Sequence, residues 1–260
     1  MDIFFWGSGR AGSVSALRYV ASRANVIGCS CDDDELNPPI VSVCEDNRIG
    51  IISSDSLVGL IEKGEVKRPD WGLCYSYHAL IPQALIHYPL NGIVNFHPAP
   101  LPYHRGIAGA SYAKYNSENE WGVSSHYIDE AFDTGDIISV RRFAIDSNKP
   151  AIDIDNSIQK EMLSLFKEIV DYILLGSVPP RVSQNKGEGH YYSRKSLNSD
   201  KKVGLAENSE RIKKKIEAFW FPPYEGAFIE ISGDRYTLVN ETVMKEIAEI
   251  YRTQYQKGFD

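Results

Sequence analysis

Gly92-Ile93-Val94-Asn95-Phe96-His97-Pro98-Ala99-Pro100-Leu101-Pro102-Tyr103-His104-Arg105-Gly106 opens the stretch that decides the fold, and Asp129-Glu130-Ala131-Phe132-Asp133-Thr134-Gly135-Asp136-Ile137-Ile138 closes it. The apolar pair Ile93-Val94 carries a strand into Asn95 and His97. Residues two apart on an extended strand point the same way. Pro98, Pro100 and Pro102 pin φ and lack the N–H that a ladder needs, so the segment after His97 is a stiff loop. An amide and an imidazole therefore stand side by side at a strand end, where open α/β sheets place their ligand sites. Val123–Ile128 reads as a further strand leading into the acidic turn Asp133-Thr134-Gly135. The constellation to explain is Asn, His and Asp, with no nucleophilic Ser or Cys in the pattern.

Upstream, Asp2–Trp6 reads as a strand, Ser13–Ala24 as a helix and Asn25–Cys29 as a second strand ending at Asp32-Asp33-Asp34. Gly7-Ser8-Gly9-Arg10-Ala11-Gly12 lies between the first strand and the helix, with an acid some way on, which matches a dinucleotide fingerprint. Tight strand-to-helix turns favour glycine in any case. Ile40–Asp55 is expected to bear a strand and Ser56–Lys63 a short helix. Trp71–Ser76 is expected to be a buried parallel strand, followed by the loop Tyr77–Pro82 and a helix over Gln83–Ile86. Alternating strands and helices of this kind predict a Rossmann-like α/β fold, its sheet mostly parallel with helices on both faces.

Downstream, a helix is expected over Gly109–Asn116 and strands over Trp121–Ile128 and Ile137–Phe143. Asn156–Leu175 carries apolar residues at helical spacing. Gly176–Pro180 is the natural boundary between a catalytic domain, 1–180, and a C-terminal extension, 181–260. In that extension 184–195 reads as a polar, aromatic loop and Arg211–Phe219 as a basic helix. Phe221–Ala227 reads as a rigid turn, and Phe228–Ile231 with Arg235–Val239 as a β-hairpin. Trp220 and Phe221 are expected in the core.

With 260 residues the chain has room for a large core. Its net charge of −7 argues against a nucleic-acid partner, which calls for a basic face. No apolar run approaches the roughly 20 residues of a membrane span, and Met1–Trp6 lacks the basic start of a signal peptide. Cys29, Cys31, Cys44 and Cys74 do not have zinc-knuckle spacing, so buried reduced thiols, no metal and a cytoplasmic protein are expected.

Asn-x-His-Pro…Leu-Pro…Arg-Gly, followed about thirty residues later by Asp-Glu-x-x-Asp-Thr-Gly-Asp-Ile-Ile, resembles the folate-dependent formyltransferases. The likeness is strongest over 70–140. One departure is Pro-Ala-Pro-Leu-Pro after His97, where many relatives have Pro-Ser-Leu-Leu-Pro, which makes this loop stiffer. The resemblance implies Asn95, His97 and Asp133 as catalytic residues and 10-formyltetrahydrofolate as formyl donor. It places the folate against Ala79-Leu80-Ile81 and Ile128-Asp129-Glu130. An oxyanion formed as an amine attacks needs donors already aimed at it. Asn95 and an N–H of His97 would supply them, while Asp133 would hold His97 and relay a proton. A carboxylate beside an imidazole raises its pKa, so a charged His97 is expected. Taken singly, each of the three would equally well satisfy loop carbonyls or build a turn.

Length and charge fit the nucleotide-sugar branch of this family better than the tRNA branch, whose partner demands a larger basic domain. The implied substrate is a dTDP-linked amino-deoxyhexose, first the 4-amino-4,6-dideoxyglucose and next the 3-amino isomers, for a surface polysaccharide. A nucleotide sugar calls for aromatic plates and cations. His78, Arg105, Gly106, Tyr191, Tyr192, Arg194, Lys195 and Tyr224 are the candidates. As in relatives, the extension is expected to end in its hairpin, which would make a homodimer contact. His104 and His126 are expected to tune or pack the site. An NAD-dependent oxidoreductase built on Gly7–Gly12 and a catalytically inert nucleotide-binding scaffold stand as alternatives.

Overall fold

A computed structural model describes residues 1–31, 38–185 and 187–257, with side chains as far as 252. The acidic end expected for the second strand, Asp32–Asp34, lies outside the described residues, as does Lys186 in the 184–195 loop.

In chain order the first elements are β1 (Asp2–Gly7), α1 (Ala11–Ala21), β2 (Asn25–Cys31), α2 (Pro38–Asp46), α3 (Ser54–Glu62), β3 (Trp71–Tyr75), α4 (Gln83–Ile86) and β4 (Ile93–His97). They continue with β5 (His104–Gly106), α5 (Gly109–Tyr115), β6 (Glu120–Tyr127), β7 (Ile137–Ala144) and α6 (Ala151–Leu174). The last are β8 (His190–Tyr192), α7 (Arg194–Lys201), α8 (Ser209–Phe219), β9 (Phe228–Ile231), β10 (Asp234–Thr237) and α9 (Glu241–Lys257). Six strands form one sheet in the order β2-β1-β3-β4-β6-β7. β1 runs parallel to β2 and β3, and β3 runs parallel to β4. β6 is antiparallel to β4. The Rossmann-like, mostly parallel sheet is therefore present, with its reversal beside the strand that carries Asn95 and His97.

The chain packs as two compact units, 1–105 with 122–142 and 159–190, and 106–121 with 143–158 and 191–260. In the first unit, Phe4, Trp6, Leu57, Cys74, Ile81, Leu85 and Ile93 form a buried cluster. Phe96 points away from its neighbours Asn95 and His97 in the alternating strand pattern. Its ring packs at 4.8 Å from Phe166 and 6.1 Å from Tyr75. In the second unit, Val203, Ile216, Ala227 and Val243 form a smaller core, with Trp220 half-buried against it. Phe219, fully buried, lies against Tyr112 and Tyr115. Phe221 is half-buried and stacked with Tyr224.

Four expectations need correction. Ile40–Asp55 holds a helix, α2, and contributes only an isolated bridge from Ile51 to Cys29. Its β-branched residues suggested a strand, but Ile40, Val43 and Cys44 turn one helical face inward. The long helix α6 begins at Ala151 rather than Asn156. The first turn of a helix has no use for its N–H groups, so Pro150 can stand immediately before it. Within the expected loop 184–195, His190–Tyr192 form β8 and residues 194–195 open α7, with Ser193 Oγ accepting from the Ser196 N–H as N-cap. The extension does not end at its hairpin: α9 follows, capped by Asn240 Oδ1 accepting from the Val243 N–H.

Two glycines lock the β5–β8 ribbon. Gly106 and Gly189 both have positive φ, and a Cβ on Gly189 would sit 2.1 Å from the Pro102 carbonyl oxygen. Only glycine allows that approach, by which the His190 N–H donates to the Tyr103 carbonyl at 2.9 Å.

Candidate active site

Register on the sheet assembles the site. β4 pairs antiparallel with β6 so that Asn95 stands opposite His126 and His97 opposite Ser124. Cross-strand partners of this kind lie within side-chain reach. Asn95 Nδ2 is 2.9 Å from His126 Nε2, and His126 Nδ1 is 2.8 Å from the Tyr127 carbonyl oxygen. A carbonyl only accepts, so His126 carries its proton on Nδ1 and its Nε2 accepts from the Asn95 amide. That orients Asn95 and leaves its second N–H for another partner. Ser124 Oγ donates to the Ala99 carbonyl and accepts from the Leu101 N–H, which fixes the proline loop after His97.

Asp133 enters from the β6–β7 connection, with a left-handed φ of 57° that an Asp tolerates better than most residues. Its Oδ1 lies 3.4 Å from His97 Nδ1 and 3.5 Å from His126 Nε2. The structure thus brings Asn95, His97 and Asp133 together and adds His126 to them. These are ion-pair distances, longer than a short hydrogen bond.

His97 is almost fully buried, and burial lowers its pKa despite Asp133, whose charge acts the other way. This corrects the expectation of a charged ring: desolvation outweighs the carboxylate. His97 Nε2 lies 2.8 Å from the His104 carbonyl oxygen, so in the neutral ring Nε2–H is donated to the main chain and the Nδ1 lone pair faces Asp133. A proton arriving between Nδ1 and Oδ1 relieves that opposition, which suits the pair to accept one. The His97 N–H expected to face a reacting oxygen is engaged by the His104 carbonyl. His104 itself is pushed down to about 4, first by burial and then by the neighbouring His97, His190 and Arg142.

The two segments expected to hold folate also meet. Gln83 Nε2 donates to Glu130 Oε1 at 2.7 Å, tying the 79–83 loop to 128–130. Ile81 and Ile128 pack against the core of the first unit, while Ala79 and Leu80 are exposed. Asp129 Oδ1 accepts from the Ala131 N–H and the Thr134 hydroxyl, shaping the turn toward Asp133.

The expected substrate contacts fall in both units. His78 is exposed beside the 79–81 loop. Arg105 Nη2 donates to the Glu188 carbonyl at 3.2 Å, and a Cβ on Gly106 would meet the Tyr192 carbonyl. The Tyr192 ring lies 3.8 Å from that of Tyr112, so one of its faces is covered. Tyr191 and Tyr224 are exposed, and Arg194 and Lys195 are exposed in the first turn of α7. In the Gly7–Gly12 turn, Ser13 Oγ accepts from the Ser8 N–H and Ser8 Oγ from the Arg10 N–H, so the turn binds part of its own main chain. Among the described residues, no group of Cys, His, Asp and Glu is placed to hold a metal ion, and no helix is long and apolar enough to cross a membrane.

The sheet thus presents an amide, two imidazoles and a carboxylate beside one strand end. Residues 22–170 match the formyl transferase family model, and the chain belongs to that family. It is a folate-dependent N-formyltransferase, which leaves the oxidoreductase alternative without support. The chain is 25% identical over 256 residues to a methionyl-tRNA formyltransferase of Syntrophomonas wolfei, covering 95% of this chain and 81% of that protein. It is 32% identical over 169 residues to a GDP-perosamine N-formyltransferase of Brucella melitensis, covering 65% of this chain and 63% of that one. In fold it is similar to an N-formyltransferase from Helicobacter canadensis crystallised with folinic acid and dTDP-3-aminofucose. The TM-score is 0.69 and the identity 23%, over 93% of this chain and 89% of that one.

Proposed function

We propose that this chain, as a cytoplasmic homodimer, formylates the amine of a nucleotide-linked amino-deoxyhexose used in a surface polysaccharide. The first candidate is dTDP-4-amino-4,6-dideoxyglucose. One observation carries the reading: Asp133 Oδ1 stands between His97 and His126 while His126 aims the Asn95 amide, all at one strand end. Residues 1–180 would do the chemistry. Residues 181–260 would contact the nucleotide through Tyr191, Arg194, Lys195 and Tyr224 and pair two copies through the β9–β10 hairpin.

The residues fit 10-formyltetrahydrofolate. Its flat, hydrogen-bonding ring calls for main-chain groups held on anchored walls, and the Gln83–Glu130 tie with the buried Ile81 supplies them. Bound there, the folate supplies the formyl carbon. Asn95 offers its second amide N–H to the oxygen that gains charge, a donor worth about 3 kcal/mol of barrier. The incoming amine becomes a strong acid as it bonds to carbon, and His97 Nδ1 with Asp133 would take up its proton and pass it to the departing donor nitrogen as the old carbon–nitrogen bond breaks. His126, fixed by the Tyr127 carbonyl, keeps the amide aimed throughout.

Perosamine is itself a 4-amino-4,6-dideoxyhexose, and the Brucella relative's GDP-linked substrate favours a GDP-linked sugar as the second reading. The test is a mass-spectrometric screen of dTDP- and GDP-linked 3-amino and 4-amino sugars with formyl-folate, watching for the gain of one formyl group. A formylated product is expected with at least one of them, and His97→Ala is expected to turn over about 10²–10⁴-fold more slowly with nucleotide-sugar affinity unchanged. No product from any of these sugars would remove the substrate class, and unchanged turnover in the variant would remove His97 from the mechanism.

A further inference from the structure

Gln184 belongs to none of the groups given a role above, and the sequence places it at the start of the tail. Its Nε2 donates to two main-chain carbonyls, those of Asp133 at 3.1 Å and Gly135 at 2.6 Å. The two carbonyls flank Thr134, so one amide nitrogen closes over the turn that bears the Asp133 carboxylate. Its orientation is forced, because reversing the amide would set Oε1 against two acceptors. In this orientation Oε1 is buried with no hydrogen-bond partner. The amide thus satisfies two main-chain carbonyls with its nitrogen, and an apolar side chain of similar length would satisfy neither.

The turn has reasons to need a tie. Asp133 is held at a left-handed φ, and Gly135 lies so close to Tyr127 that a Cβ on it would collide with the Tyr127 carbonyl. Asp129 secures the turn from one side through Ala131 and Thr134. Gln184 secures it from the other. The residues before it deliver it in register: Val182 and Ile137 exchange both main-chain hydrogen bonds, and Ser183 Oγ donates to Asp136 Oδ1 at 3.0 Å.

We propose that Gln184 is a positioning residue for formyl transfer, which keeps Asp133 Oδ1 between His97 and His126 by holding the carbonyls on either side of Thr134. The inference rests on the reading of Asp133 as part of the reacting constellation. Gln184→Met retains length and packing but removes both donors. Gln184→Asn, too short to reach both carbonyls, gives a second variant should the first fail to fold. In the full chain, kcat is expected to fall about 10²-fold, the cost of a small misplacement, with both KM values unchanged and the variant still folded at the assay temperature.

A second readout needs no acceptor sugar. In ¹⁵N-histidine NMR the His97 ring of the variant is expected to protonate at lower pH than in the wild type, because the carboxylate no longer stands beside it. Unchanged kcat with an unchanged His97 titration would overturn the proposal, as would a loss of kcat matched by loss of folded protein. If the wild type formylates none of the amino sugars, it is the substrate reading that fails. The His97 titration then decides the role of Gln184 by itself.

Discussion

Two histidines a few residues apart illustrate how burial and neighbouring charge compete. At His97 the Asp133 carboxylate only partly offsets desolvation. At His104 burial and the neighbouring His97, His190 and Arg142 act in the same direction, leaving it at about 4 against an ordinary 6.5. Between those two values the unfolded chain takes up a proton that the folded chain refuses, so stability falls as pH drops from 6.5 toward 4 and this contribution is flat below. Urea midpoints at about pH 7 and about pH 5 are expected to drop further in the wild type than in His104→Gln, because the carboxylates are common to both. Equal drops would show that His104 contributes nothing to acid sensitivity. Asn95, His97 and Asp133 were legible because their spacing is distinctive. His126 and Gln184 were not: one needs the β4–β6 register to stand opposite Asn95, and the other needs 181–184 laid along 136–137. The charge on His97 was misjudged for a related reason, since spacing reveals a partner but not the depth at which the pair lies.

Elements with strong local signals were read correctly, and those whose signals conflict were not. β1, β3, β4 and the β9–β10 hairpin follow from apolar runs bounded by turn residues. α2 was lost to its β-branched residues. α7 and α9 carried legible caps, Ser193 and Asn240, in stretches dominated by aromatic and charged residues. The β5–β8 ribbon was illegible because glycine signals a turn as readily as a close approach of two chains. Its structure makes a prediction of definite sign. Gly189→Ala is expected to destabilise the chain by about 2 kcal/mol or more, since a methyl group would meet main chain at a positive φ. Gly59→Ala, in α3 with nothing near the added carbon, is expected to stabilise by about 0.5–1 kcal/mol. Denaturant unfolding of both variants checks the pair, and destabilisation by both would mean that steric crowding at Pro102 is not the cause.

At the scale of the whole molecule, net charge separates the readings that the relatives leave open. A net charge of −7 provides no counterion-release drive toward a polyanion. Filter binding at about 0.15 M salt is expected to retain no tRNA on this chain, and methionyl-tRNA is expected to go unformylated. A salt-resistant complex would instead favour the activity of the Syntrophomonas relative. The two compact units draw on alternating parts of the chain: 106–121 and 143–158 belong with 191–260, although segments of the first unit lie on both sides of them in sequence. A single crossover near residue 180 therefore cannot exchange the second unit whole between relatives. Such a hybrid would keep Tyr112 and Tyr115 from one parent and receive from the other whatever replaces Phe219, the ring they were shaped to hold. Exchanging that unit intact takes three pieces, inherited as a set.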